Sequence, residues 1–126
     1  MSVRLPLRMV ERPWGCERLP APFAISTPVR VGEVWFEPPA QLEALLVKYI
    51  FTSEKLSVQC HPSDEQARTM GLGCRGKEEC WLVLDADPGA QLAIGFKQHI
   101  EATAMRAALN DGSIEQMLAW HPRSEE

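Results

Sequence analysis

The strongest constraint on the fold is a short stretch near the middle of the chain in which apolar and polar residues alternate strictly. Between residues 55 and 61, one set of alternate positions is apolar and consists of Leu56, Val58 and Cys60. The other set is polar and consists of Lys55, Ser57, Gln59 and His61. Because successive side chains of a β-strand point to opposite faces, the pattern predicts a half-buried strand over residues 55–61 with a polar exposed face.

A short helix is predicted directly after this strand. Pro62 ends the strand, and Ser63 followed three residues later by Gln66 is the sequence signature of a capping box. The helix is expected to end near residue 70, because Gly71 and a second glycine two residues later follow it.

The rest of the chain predicts further strands joined by turns. Prolines and glycines divide the first forty residues into short segments, and the sequence Asp-Pro-Gly at residues 87–89 predicts a type II turn that closes a hairpin. The predicted strands cover residues 3–10, 32–36, 42–52, 79–85 and 91–96. Residues 42–52 are apolar enough for a strand buried on both faces, although a helix at the start of this segment stays open.

After residue 97 the spacing of apolar residues becomes helical. Ala102, Met105 and Ala108 share one face with Leu109, and residues 110–112 end this helix. A second capping box over residues 113–116 predicts another short helix, and residues 121–126 are expected to form a polar, frayed end. The patterns together predict a single, mainly β domain over residues 1–126 with short helices.

Composition excludes several classes of function. The chain has 126 residues with 13 basic and 17 acidic side chains, a net charge of −4, and no clustered basic surface that would suit nucleic acid or an anionic membrane. No segment approaches the roughly 20 apolar residues that a membrane-spanning helix needs, so a cytoplasmic location is expected. The four cysteines form no C-x-x-C pair and are expected to be free thiols.

One cluster of residues could bind a metal ion. Gln59 and His61 lie on the same face of the predicted strand, about 7 Å apart at the backbone, and Glu79 begins another predicted strand that could lie beside it. These nitrogen and oxygen ligands would suit a divalent metal with an open coordination position. From the residues alone, a single histidine on a strand is more often an ordinary surface or hydrogen-bonded residue than a metal ligand, so both interpretations of His61 stay open.

Two motifs carry a resemblance to a known family. Residues 54–67, E-K-L-S-V-Q-C-H-P-S-D-E-Q-A, and residues 76–81, G-K-E-E-C-W, resemble the L-S-x-Q-x-H-P-D-D-x-x-A and G-K-T-E-x-W motifs of the type I mannose-6-phosphate isomerases. The segments P-W-G at residues 13–15 and G-E-V-W at residues 32–35 resemble the opening segments of that family. The resemblance therefore covers nearly the whole chain and corresponds to the N-terminal half of a family member.

The resemblance implies a partial cupin-like jelly roll that interconverts mannose 6-phosphate and fructose 6-phosphate with bound zinc or another divalent transition metal. It implies that the metal ligands are Gln59, His61 and Glu79, and that Lys77 and Ser57 line the substrate pocket. In such a site the metal polarises sugar oxygens while a proton moves between neighbouring carbons, and the lysine supplies positive charge.

The sequence also departs from the family pattern. Glu78 stands where the family has threonine, and Cys60 replaces a valine. The later half, which supplies a further histidine ligand in the family, has no counterpart in these 126 residues. Half a jelly roll leaves unpaired strand edges, which a homodimer would cover. Three functions therefore stay open: a metal-dependent isomerase, a non-catalytic cupin module that binds metal or a phosphosugar, and a structural half-barrel that assembles with another chain.

Overall fold

The structure is a computed structural model that describes residues 4–122. In chain order, the elements are β1 (Leu7–Leu19), β2 (Ile25–Phe36), a 3-10 helix (Ala40–Leu42), β3 (Val47–Ile50), α1 (Asp64–Thr69), β4 (Gln91–Phe96), α2 (Ala102–Asp111), α3 (Ile114–Met117) and β5 (Leu118–Pro122). The predicted mainly β chain with short helices is confirmed and is consistent with a partial cupin-like fold. The chain divides into two compact units, Met1–Ser57 and Val58–Glu126. The single domain over residues 1–126 stays a prediction.

The first unit is built on an antiparallel sheet with the strand order β1-β2-β3. Its core is formed by the buried side chains of Leu19, Val31 and Val34, against which several aromatic rings pack. Phe23 contacts Tyr49 edge to face, with the ring centroids 5.2 Å apart. Such pairs add stability beyond the apolar area that they bury.

Three predicted strands fall in this unit, and the structure corrects their extent. Residues 32–36 lie within β2 as predicted, whereas the strand predicted over residues 3–10 begins at Leu7 and runs on to Leu19. Residues 1–3 lie outside the described part. The strand predicted over residues 42–52 is reduced to Val47–Ile50, and the chain before it contains a 3-10 helix. The prediction that this segment is buried on both faces was wrong, because β3 is an edge strand and Val47 is exposed.

A carboxylate buried in the first unit connects all three strands of the sheet. The Glu33 side chain on β2 is only 8% exposed, and its Oε1 accepts a hydrogen bond from Lys48 Nζ on β3 at 2.8 Å. Its Oε2 accepts from Trp35 Nε1 at 2.9 Å and from Arg12 Nη2 on β1 at 3.3 Å. Burial acts to raise the pKa of Glu33, but the hydrogen bonds from Lys48 and Trp35 and the nearby positive charges outweigh it and lower the pKa. The charged Glu33 side chain therefore links the three strands through its hydrogen bonds and ion pairs.

The second unit contains an antiparallel pair of strands, β4 and β5, together with the three α-helices. The prediction that residues 79–85 form a hairpin with β4 was wrong, because β4 pairs with β5 instead. The turn over residues 87–89 is present, with Ala90 N donating to Asp87 O at 2.9 Å and Gly89 at a φ of 81°. Leu82 remains 82% exposed. In the described chain, neither residues 79–85 nor residues 55–61 are assigned to a strand.

The helices confirm one predicted cap and correct the other. At the start of α1, Gln66 N donates to Ser63 Oγ while the Gln66 side chain accepts from Ser63 N, which completes the predicted capping box. At α3 the predicted box is wrong, because Ser113 has helical dihedral angles and its N–H donates to Asp111 Oδ1 at 2.9 Å. His121, expected in a frayed end, lies in β5, while residues 123–126 lie outside the described part.

Replacing Ser63 with alanine is expected to lower the free energy of unfolding of the second unit by about 1 kcal/mol, because the Gln66 N–H in the first turn of α1 loses its side-chain acceptor. Urea unfolding followed by circular dichroism measures this loss. Ser113→Ala is the matched control and should cost less, because Ser113 makes no side-chain cap at α3. Equal losses in the two variants would contradict the stabilising role of the box.

No helix within residues 4–122 combines the length and the apolar character needed to cross a lipid bilayer.

Candidate metal and substrate site

His61 is positioned by the chain that surrounds the start of α1. It precedes Pro62 and the capped first turn of the helix, so its backbone is fixed on one side. The segment that carries the second motif returns across the same place, where Lys77 N donates to Pro62 O at 3.0 Å and Gly76 N donates to Asp64 Oδ1 at 2.9 Å. These two hydrogen bonds bring the G-K-x-E segment beside His61.

Gly76 is required for this close approach. A Cβ atom at this position would lie 2.3 Å from the Ser63 carbonyl carbon and 2.4 Å from Pro62 O. Both of these are backbone atoms, so any larger residue would push the two segments apart. The glycine therefore sets the distance between the histidine of the first motif and the charged residues of the second.

Three of the predicted site residues converge. His61 Nε2 lies 3.1 Å from Glu79 Oε1, and Lys77 Nζ lies 2.8 Å from Glu79 Oε2 and 3.3 Å from His61 Nε2. The side chains of His61 and Glu79 are partly buried, and that of Lys77 is more exposed. The imidazole, the carboxylate and the ammonium thus form one cluster at the surface of the second unit.

The contacts around His61 cannot all be hydrogen bonds at once. Nε2 must carry a hydrogen to donate to Glu79, but it must present a lone pair to accept from Lys77. A cation in contact with Nε2 and Oε1 would satisfy both atoms. Two ligands of a tetrahedral zinc ion at about 2.0–2.1 Å lie about 3.3 Å apart, and the 3.1 Å between Nε2 and Oε1 is close to that value. The spacing of this donor pair is therefore compatible with two ligands of one divalent metal, and it also matches an ordinary hydrogen bond.

Glu79 is held in its charged form. The hydrogen bond from Lys77 is the main reason that the pKa of Glu79 lies below its ordinary value of 4.5. Partial burial opposes this shift, while hydrogen bonds with the Trp81 side chain and with His61 add to it. An ionised carboxylate is the form that binds a metal ion.

The other two predicted site residues are placed as follows. Gln59 is exposed and lies two residues before His61, and its role as a metal ligand stays a prediction. Ser57 is the last residue of the first unit, and its role as a pocket residue also stays a prediction. No group of three His, Cys, Asp or Glu side chains within residues 4–122 is arranged to hold a metal. His61 and Glu79 contribute two such side chains, and the predicted third ligand is an amide.

Two features of the site were not predicted from the sequence. One is the Asp64 carboxylate, which accepts from Gly76 N and from Arg75 Nη2 at 3.0 Å and so fixes the second motif on α1. The other is the close approach of Gly76. The sequence does show a glycine immediately before Lys77 and a carboxylate at the first position of α1. Neither residue, however, indicates which part of the chain it will contact.

Comparison with known proteins finds similarity to several mannose-6-phosphate isomerases. The chain is 37% identical over 78 residues to the probable mannose-6-phosphate isomerase GmuF of Bacillus subtilis, a match that covers 56% of this chain and 25% of that protein. It is 41% identical over 51 residues to the mannose-6-phosphate isomerase ManA of Bacillus subtilis, covering 40% of this chain and 16% of that protein.

A third relative comes from another organism. The chain is 42% identical over 53 residues to a mannose-6-phosphate isomerase of Streptococcus mutans, which covers 42% of this chain and 16% of that protein. The resemblance seen in the motifs is therefore confirmed. The matched region spans a quarter or less of the length of each of these relatives. No family model matches the chain. No solved structure matches it significantly.

Proposed function

We propose that the chain forms the metal-binding part of a mannose-6-phosphate isomerase site and acts in the interconversion of mannose 6-phosphate and fructose 6-phosphate. The observation that carries this proposal is the contact of 3.1 Å between His61 Nε2 and Glu79 Oε1, with Lys77 Nζ against both residues. These three residues occupy the motif positions at which the chain resembles the isomerases. The names of the relatives support a sugar phosphate as the substrate.

The proposed roles follow from the chemistry of each group. His61 and Glu79, with Gln59, would hold zinc or another divalent transition metal, which supplies Lewis acidity toward sugar oxygens when bound. Lys77 supplies a positive charge that binds an anionic substrate or a developing oxyanion. Ser57 is proposed as a further polar contact to the substrate, because the resemblance implies it.

A reconstitution experiment tests the proposal. The purified chain is stripped with a chelator, reloaded with one equivalent of Zn²⁺, and assayed for the conversion of fructose 6-phosphate into mannose 6-phosphate by a coupled reaction. The proposal expects no turnover above background in the stripped protein and turnover after reloading. Background rates in both forms, together with no binding of Zn²⁺ or of mannose 6-phosphate, would contradict it.

A specific observation favours a second candidate, a half-barrel that assembles with another chain. Residues 79–86 are not assigned to a strand, and the apolar side chains of Trp81, Leu82 and Leu84 are exposed within this segment. An exposed apolar segment with unpaired backbone groups favours association. A homodimer is the simplest such assembly, and light scattering on the chromatographed chain distinguishes it from a monomer. A monomer at micromolar concentration would contradict this second candidate.

A further inference from the structure

A shallow hollow lies at the C-terminal end of α1, next to the glycine-rich loop that follows the helix. Its volume is about 410 Å³, and the residues that line it are Ala67, Arg68, Gly71, Gly73, Cys74 and Arg75. The hollow belongs to the second unit, as do His61, Lys77 and Glu79. It plays no part in the metal site described above.

The backbone of the loop leaves hydrogen-bond donors available. Gly71 and Gly73 have φ values of 65° and 68°, in the left-handed region that glycine adopts readily. The N–H of Gly71 is used to end the helix, where it donates to Arg68 O at 3.1 Å. By contrast, the N–H groups of Gly73 and Cys74 have no acceptor among residues 4–122. Unpaired backbone N–H groups in turns that contain left-handed residues can bind anions.

The side chains around the hollow carry a positive charge. Arg68 and Arg75 contribute two guanidinium groups to its lining. Asp64 pairs with one of them, since its Oδ2 accepts from Arg75 Nη2 at 3.0 Å, and this hydrogen bond is the main reason that the pKa of Asp64 is lowered. Counting these three residues, one positive charge remains uncompensated. The Arg75 side chain is also mostly exposed, so its other N–H donors can reach a ligand.

We propose that this hollow binds a phosphate monoester group through the guanidinium groups of Arg68 and Arg75 and the backbone N–H groups of Gly73 and Cys74. Guanidinium and backbone N–H donors together match the three terminal oxygens of a phosphate. Lys77 follows Arg75 by two residues, so the hollow and the metal cluster lie on the same short stretch of chain. The proposal depends on the proposed function only for the sugar, which makes mannose 6-phosphate the ligand expected there.

The test is an NMR titration of the full ¹⁵N-labelled chain with inorganic phosphate, mannose 6-phosphate and unphosphorylated mannose. The first two are expected to shift the amide signals of Gly73 and Cys74, and mannose is not. In the double variant Arg68→Gln/Arg75→Gln, the affinity for phosphate is expected to fall at least about tenfold. The control is Arg106→Gln on α2, which removes one exposed arginine of the same unit away from the hollow.

The outcomes separate this proposal from the proposed function. If the double variant keeps a folded spectrum and binds phosphate with unchanged affinity, the hollow is not the phosphate site. The absence of Gly73 and Cys74 shifts in the unsubstituted chain at 20 mM inorganic phosphate would overturn the site as well. If reloading with Zn²⁺ restores turnover while these shifts are absent, the proposed function stands and this inference fails. If the shifts appear without Zn²⁺ binding or turnover, the phosphate site stands and the isomerase fails.

Discussion

Replacing His61 with alanine is expected to lower the affinity of the chain for Zn²⁺ by at least about 100-fold. The imidazole provides the only nitrogen ligand proposed for the site, and loss even of groups that merely orient a ligand commonly costs 10–100-fold in metal affinity. The Nε2 atom that is removed lies 3.1 Å from Glu79 Oε1, so the variant leaves Glu79 without the second ligand atom of this pair. Competition of the chain with a chromogenic chelator measures the change.

His99 provides a matched control for this experiment. Its Nε2 also lies 3.1 Å from a glutamate oxygen, Glu101 Oε1, but the His99 side chain is 85% exposed, and within residues 4–122 no lysine contacts the pair. His99→Ala is therefore expected to bind Zn²⁺ like the unsubstituted chain. If the two alanine variants lose affinity equally, or neither loses any, His61 does not bind the metal.

Replacing Glu33 with alanine is expected to lower the free energy of unfolding of the first unit by about 3 kcal/mol. The change leaves Lys48 without its partner at 2.8 Å and removes the acceptor for Trp35 Nε1. Breaking a buried ion pair by removing one partner typically costs 3–5 kcal/mol, and the lower end applies because Lys48 and Arg12 are partly exposed and can turn to solvent. Urea unfolding followed by tryptophan fluorescence measures the loss.

Glu54 supplies the comparison for an exposed pair in the same unit. Its Oε1 lies 2.8 Å from Arg30 Nη1, but the Glu54 side chain is 62% exposed, so Glu54→Ala should cost less than about 1 kcal/mol. If Glu33→Ala lowered the free energy of unfolding no more than Glu54→Ala, the buried ion pairs of Glu33 would not stabilise the sheet.

The pKa of Glu33 adds a pH dependence of known sign. Because this pKa is lower in the folded chain than its ordinary value of 4.5, the charged carboxylate stabilises the fold at pH values above 4.5. That stabilisation is lost as the pH falls below 4.5 and through the folded-state pKa. The difference in unfolding free energy between the unsubstituted chain and Glu33→Ala should therefore shrink on acidification from pH 6 to pH 3.

Features that depend on neighbouring residues could be predicted from the sequence. The capping box of α1 follows from Ser63 and Gln66 alone, and the turn over residues 87–89 follows from its own proline and glycine. The cluster of His61, Lys77 and Glu79 was also expected. However, residues 55–61 and 79–85 are not the β-strands that were predicted to bring these side chains together. The resemblance located the residues, whereas the hydrogen bonds at Pro62 and Asp64 position them.

Features that depend on distant pairing were not predicted. The strand at residues 91–96 was predicted with the wrong partner, because its sequence fits either a hairpin with residues 79–85 or the observed pairing with β5. Ser113 and Gln116 match the capping pattern, but the Ser113 N–H donates to Asp111 Oδ1 instead of to the Gln116 side chain. The burial of Glu33 could not be seen either, since its partners Arg12 and Lys48 lie 21 and 15 residues away along the chain.

Zinc K-edge X-ray absorption on the chain loaded with one equivalent of Zn²⁺ shows directly whether His61 and Glu79 bind a common metal ion. We expect nitrogen and oxygen atoms at about 2.0–2.1 Å from the zinc, together with the outer-shell scattering of an imidazole that disappears in His61→Ala. Sulfur atoms at about 2.3 Å, which would come from the free thiols, or an imidazole signal that survives in His61→Ala, would contradict it.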